Sequence, residues 1–133
     1  MVCIYCSGPT AVSNSRLQHR SNQIWRRRTC LGCRNVVTTL ERVDLGSSLT
    51  VQVNHSRRQS FNRDRLLLSL YKSLGHRADA LEAAQALATT IISKLTPYIE
   101  QANLDKKIII DITLDTLKHF DKAAAIHYRA YHN

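Results

Sequence analysis

The sequence contains no uninterrupted apolar run near the ~20 residues that a membrane-spanning helix needs, and its start, MVCIYCSGPT, lacks the basic stretch and apolar core of a signal peptide. The chain is therefore expected to be cytoplasmic, without a membrane partner. It also lacks a Gly-rich phosphate loop and any local nucleophile–base signature. Its histidines, at 19, 55, 76, 119, 127 and 132, have no ligand spacing. An enzyme is not expected. Acidic residues are scarce, 10 Asp and Glu against 19 Lys and Arg, a formal charge of +9 that favours anionic partners such as nucleic acid, nucleotides or acidic lipid, without choosing among them.

Two further absences divide the chain. Residues 1–45 contain no Lys, yet hold all four Cys and seven Arg, opposed only by Glu41 and Asp44. Residues 46–133 contain no Cys, and carry twelve Lys or Arg with eight Asp or Glu among Ala, Leu and Ile at helical spacing. DLGSS, Asp44 to Ser48, reads as a turn-like joint. The expectation is an α+β chain: a small antiparallel β segment over 1–45, then a mainly helical domain with a β-hairpin over 49–133.

The first segment has Cys3-x2-Cys6, twenty-three residues, then Cys30-x2-Cys33. Two such pairs supply four thiolates to one tetrahedral zinc ion. A segment with so little apolar content needs a staple, and in a reducing compartment one Zn2+ per chain fits better than two disulfides. Four cysteines leave no open coordination position, so the expected zinc is structural. TAVSNSRL, QIWRRRT and NVVTTLERV have the β propensity of short strands. Short antiparallel strands under two metal knuckles make a zinc ribbon.

Arg26, Arg27 and Arg28 then lie on a strand that runs into the knuckle at Cys30. Alternation places Arg26 and Arg28 on one face and Arg27 on the other. With Arg16 and Arg20 they form a cluster that no acidic residue offsets before Glu41. Duplex DNA is the expected partner of Arg16, Arg26, Arg27 and Arg28. A solvated basic edge that discourages strand pairing is the alternative. Trp25 either stacks on a base or sugar or covers a thin core.

In the second segment, SLTVQVNHSRRQSF reads as a hairpin with Leu49, Val51 and Val53 on one face and Asn54-His55-Ser56 at the turn. A helix begins at the cap Asn62, carries Leu66, Leu67, Leu70, Tyr71 and Leu74 as its apolar stripe, and stops at Gly75. Another begins with an Asp79-x-x-Glu82 capping box, presents Leu81, Ala84, Ala88, Ile91, Ile92 and Leu95, and ends before Pro97. DKKIIIDITLDTLKHF fits both periods and is assigned as helix. DKAAAIHYRAYH reads as a short last helix with Asp121 at its start.

Taken together, the segments resemble the bacterial NrdR-type repressors of ribonucleotide reductase operons, which join a zinc ribbon to an ATP-cone. The resemblance rests on the two Cys pairs, VSNSR (Val12 to Arg16), IWRRRTC (Ile24 to Cys30) and TTLE (Thr38 to Glu41). In the second segment it rests on RRQSFNRDRLL (Arg57 to Leu67) and, more loosely, HFDKAAAIHYRAY (His119 to Tyr131). It implies a repressor that binds operator DNA on the nucleoid through residues 1–45. It also implies that residues 49–133 read ATP and dATP by changing the homo-oligomer. Val51, Arg57, Arg58, Arg65 and Tyr128 are the implied nucleotide-binding residues. Arg58 and Arg65 are the expected phosphate partners, because guanidinium groups bind phosphate bidentately. Where the family has V-x-K-R-D-G, this chain reads Val53, Asn54, His55 and Ser56. The alternative reading is accordingly a nucleic-acid-binding ribbon whose degenerate cone serves only assembly.

Overall fold

The computed structural model describes residues 1–132; Asn133, the last residue of the expected second domain, lies outside the described residues. The chain forms two compact units that meet between Val43 and Asp44, and the α+β class expected from the sequence is the one found.

The first unit is a three-stranded antiparallel sheet of β1 (Thr10–Gln18), β2 (Gln23–Cys30) and β3 (Val36–Arg42), in that order. The three β-rich stretches of the sequence are these strands. A bulge between Val12 and Asn14 interrupts the β1–β2 register, whereas β2 and β3 pair without a break from Gln23↔Arg42 to Thr29↔Val36. The unit has almost no hydrophobic interior. Among its described residues, Cys3 and Cys30 are the only buried ones.

The second unit opens with α1 (Leu45–Ser48), a single helical turn capped by Asp44, whose carboxylate accepts from the Gly46 and Ser47 N–H groups. The expected turn-like joint is thus one turn of helix, because an acidic cap satisfies the free N–H groups at its start. The hairpin follows as β4 (Thr50–Asn54) and β5 (Arg57–Ser60), closed by Asn54 Oδ1, which accepts from the Ser56 and Arg57 N–H groups. A third strand, β6 (Asn103–Asp105), pairs with β4 in parallel, giving the order β5-β4-β6. Three residues of NLD carry no periodicity of their own, so sequence reading missed this strand.

Four helices complete the unit: α2 (Arg63–Ser73), α3 (Ala80–Leu95), α4 (Lys106–Phe120) and α5 (Lys122–Tyr131). They pack α2 on α3, α3 on α4, α4 on α5 and α5 back on α2. Leu70, Leu74, Ile91, Leu104 and Leu117 fill the centre without exposure. Asn62 caps α2 through the Arg65 N–H, as expected. The helical assignment of DKKIIIDITLDTLKHF also holds, with Asp105 as its cap.

Two sequence expectations are corrected. Asp79 makes no side-chain cap on α3, because both of its carboxylate oxygens accept from Arg77 at 2.8 and 3.1 Å. Tyr71 and Leu81, assigned to buried stripes, are exposed, and the buried line of α3 runs instead through Ala80, Ala83, Ala84, Leu87, Ala88, Ile91 and Leu95. Alanine and leucine also occur outside the buried line, at Leu81 and Ala86, so packing decides which of them face in.

Asp121 ties the helical ring together. It caps α5 through the Ala124 N–H at 3.0 Å and accepts from His76 at 2.9 Å and Arg77 at 3.3 Å. The Ala124 N–H first, then His76 and Arg77, hold its carboxyl down at about 2, against the opposing effect of burial. A depressed carboxylate contributes stability that is complete above its unfolded value and is lost as pH falls through the folded value, here from about pH 4 to about pH 2. Asp121→Ala should therefore lower stability near neutral pH by about 1 kcal/mol for the lost cap. The variant should also lose less of its remaining stability across that acid window than the parent does, as pH-dependent thermal unfolding will show.

Candidate metal centre and nucleic-acid interface

The cysteines sit on two knuckles of matching build. In one, the Cys3 N–H donates to the Gly8 carbonyl at 2.8 Å; in the other, the Cys30 N–H donates to the Asn35 carbonyl at 2.9 Å. Each knuckle turns through a left-handed residue directly after its second cysteine, Ser7 at φ 59° and Arg34 at φ 65°. Non-glycine residues adopt that conformation at a cost of roughly 1–2 kcal/mol, and do so where the surroundings impose it. At Gly8 a Cβ would lie 3.2 Å from the Cys6 sulfur, so the backbone approaches the cluster as closely as a side chain allows.

All four Sγ atoms lie within 4.8 Å of one another, with Cys3 to Cys33 at 3.7 Å and Cys6 to Cys30 at 3.4 Å. Sulfurs bound tetrahedrally at about 2.3 Å from a zinc ion would be separated by about 3.8 Å. The cluster fits that ion. Sulfur acceptors are also supported from outside: the Tyr5 N–H donates to Cys3, the Cys33 N–H to Cys30, and the Asn35 side-chain amide to Cys33, each at 3.4 Å. The Cys33 backbone lowers the Cys30 thiol to about 6, and the Asn35 backbone lowers Cys33. Cys6 moves the other way, to about 11, since the favourable Gly8 backbone is outweighed by the Cys30 and Cys33 sulfurs and by burial. Four thiolates this close repel one another, and a bound dication removes that conflict.

β2 carries the arginine run directly into Cys30. Arg26 is paired: Glu41, on the same face of β3 and two residues beyond the directly opposite Thr39, lies 3.1 Å from it. Arg28, on the same face, reaches Thr39 Oγ1 at 3.4 Å. Arg27 lies on the other face and is exposed, as is Arg16, which stands directly opposite the half-buried Trp25.

This geometry accompanies sequence likeness over nearly the whole chain. Residues 1–41 match the family described as "Transcriptional repressor NrdR-like, N-terminal domain". The Transcriptional repressor NrdR of Afipia carboxidovorans is 36% identical over 129 residues, which are 96% of this chain and 80% of that protein. The chain belongs to the NrdR family of transcriptional repressors. Proteins of the same name from Rhodopseudomonas palustris strain BisB5 and from Symbiobacterium thermophilum are 35% and 30% identical, each across 96% of this chain and 79% and 84% of their own lengths. A regulatory, non-enzymatic role and the zinc ribbon both follow from membership in the NrdR family together with the four-sulfur cluster.

The nucleotide candidates are distributed less simply. An open cleft of about 380 Å³ beside the hairpin is lined by Gln52, Val53, Asn54, His55, Arg58 and Asp105. Arg58 alone of the candidate residues lines it. There it donates to Gln52 Oε1 at 2.6 Å, its direct partner across the hairpin. Arg65 instead donates to Gln59, the next residue along β5, at 3.3 Å, and so meets the opposite face of the hairpin. Arg57 is exposed beside the turn. Val51 and Tyr128, 5% and 3% exposed, belong to the hydrophobic core. Burial raises the Tyr128 phenol, while a hydrogen bond with the Thr113 hydroxyl works against that rise. Arg42, which sequence reasoning did not single out, stands opposite Gln23 at the far end of β3.

Proposed function

We propose that the chain is a DNA-binding transcriptional repressor, with residues 1–45 as the operator-binding zinc ribbon and residues 49–133 as an ATP-cone-like sensing and assembly domain. The supporting observation is the four-sulfur cluster, which fixes the end of the strand that bears Arg26, Arg27 and Arg28. The contacts to double-stranded DNA come from within the ribbon's arginine cluster, for which Arg16, Arg26, Arg27 and Arg28 are the candidates. Ribonucleotide reductase genes are the proposed targets, with ATP and dATP as regulatory ligands that shift a homo-oligomer between assemblies. Each nucleotide must bind the two assemblies unequally, since equal affinity shifts nothing. Arg58 in the hairpin cleft is the favoured phosphate partner, with Arg57 beside the turn and Arg65 on the hairpin's other face as further cations, and with Val51 and Tyr128 acting only through the hydrophobic core.

A second reading has its own observation. The hairpin tip is Asn54-His55-Ser56, with neither Lys nor Arg, and the Asn54 side chain is occupied in closing the turn. On that reading the second domain serves only assembly. One set of measurements separates the two: calorimetry with ATP and dATP, mass determination in each state, and duplex DNA binding with and without nucleotide. Sub-millimolar binding that is lost in Arg58→Ala, with a nucleotide-dependent change in mass and DNA affinity, supports sensing. Absence of binding at millimolar nucleotide supports the assembly-only reading.

A further inference from the structure

The ribbon sheet has two faces of different electrostatic character. On one stand Ile24, Arg26 and Arg28 of β2 beside Val37, Thr39 and Glu41 of β3, and both arginines there already have partners, Glu41 at 3.1 Å and Thr39 at 3.4 Å. The other face carries Arg16 of β1, Trp25 and Arg27 of β2, and Leu40 and Arg42 of β3. Glu41 is the only acidic residue in the ribbon unit, and its strand position turns it away from this second face. Burial along β3 alternates accordingly: Val37 and Thr39 are half-buried, and Val36, Thr38 and Leu40 are exposed.

We propose that the Arg16–Arg27–Arg42 face of the ribbon is the side that lies against duplex DNA, and that Arg26 and Arg28 mainly brace the sheet from behind. This rests on the reading of the ribbon as a DNA-binding unit, and it adds Arg42 to the set of DNA-facing residues. The three cations surround an apolar centre. Arg16, Trp25 and Leu40 form one row across the sheet, Arg27 lies two residues along β2, and Arg42 stands diagonally across from Trp25. Arg27 and Arg42 are offset by four residues of register, on the order of 14 Å of strand. DNA presents one phosphate charge per about 1.7 Å of its axis, so a face of that length meets several. Trp25 is half-buried and Leu40 is 55% exposed, a flat apolar centre suited to sugar edges or thymine methyl groups between the bound phosphates. A phosphate at Arg26 would instead compete with Glu41 and be repelled by its carboxylate.

The test uses the full-length, zinc-loaded chain and duplex DNA over a range of salt. Arg16→Ala/Arg27→Ala/Arg42→Ala should flatten the slope of log affinity against log salt by about 2.7, close to 0.9 for each phosphate that is no longer neutralised. Arg42→Ala alone should flatten it by about 0.9. Arg26→Ala/Arg28→Ala, with zinc content matched to the parent, should change the slope by less than Arg42→Ala does. Trp25 is the only tryptophan, so its emission reports on this face without a label and should change as duplex is added. The reverse pattern, a flattened slope in Arg26→Ala/Arg28→Ala and a parental slope in the triple variant, overturns the assignment of the face while leaving the ribbon a DNA-binding unit. If the parent itself does not bind duplex DNA, the underlying reading falls with it.

Discussion

Cys30→Ser is expected to abolish zinc binding and unfold the ribbon, while the helical signal of the second unit persists. The reason is the near absence of a core. Within the first unit only Cys3 and Cys30 are buried, and Val2, Ile4, Tyr5, Val12, Leu17, Leu31, Leu40 and Val43 are all exposed. Only the half-buried Ile24, Trp25 and Val37 remain to hold three short strands once the knuckles separate. Structural zinc contributes apparent free energies of about 10–16 kcal/mol near neutral pH, more than a typical small domain's whole stability of about 5–15 kcal/mol. Replacing one thiolate by a hydroxyl removes a ligand and leaves three repelling sulfurs. Chelation should reproduce the effect in the parent. Acid should too, because the ligands bind as thiolates and protons compete with the metal. Elemental analysis, circular dichroism and limited proteolysis measure the three parts of this outcome. A Cys30→Ser chain that keeps one zinc and a protease-resistant ribbon would overturn it. Loss of duplex binding should accompany unfolding, since the arginine strand ends in the knuckle.

Leu70→Ala should be among the most damaging of the simple truncations in the second unit. Leu70 has no exposed surface and lies on α2, which packs against both α3 and α5. Truncating a buried leucine costs about 2–5 kcal/mol, through lost transfer energy and the cavity left behind. For a unit of this size each kcal/mol lowers the melting temperature by about 4–8 °C, so a fall of at least about 8 °C is expected. Leu68→Ala is the control. Leu68 is two residues away on the same helix and 57% exposed, and its replacement should stay within about 0.5 kcal/mol of the parent. Urea unfolding followed by the helical signal gives both values. Equal effects at the two positions would mean that α2 does not pack as described.

Much of this protein is legible along the chain alone. Cysteine spacing specified the metal cluster because ligand geometry is local to each knuckle and tetrahedral zinc tolerates few alternatives. Cap residues at Asn62 and Asp121 marked helix starts that are found where the side chains can reach free N–H groups. Strand alternation already split Arg27 from Arg26 and Arg28. Who stands beside each of these groups was settled by packing. Glu41 is thirteen or more residues from the arginines in sequence and becomes the partner of Arg26 through β2–β3 register. The same register brings Arg42 to the face of Arg16 and Arg27. β6 exists only because β4 offers an edge to pair with. Arg58 and Arg65, seven residues apart, meet opposite faces of one hairpin, and Tyr128 is buried with a hydrogen bond to Thr113. The common reason is physical. Metal ligation, caps and alternation depend on neighbours a few residues away, whereas charge pairing, burial and access to a ligand depend on long-range packing, which no local pattern encodes.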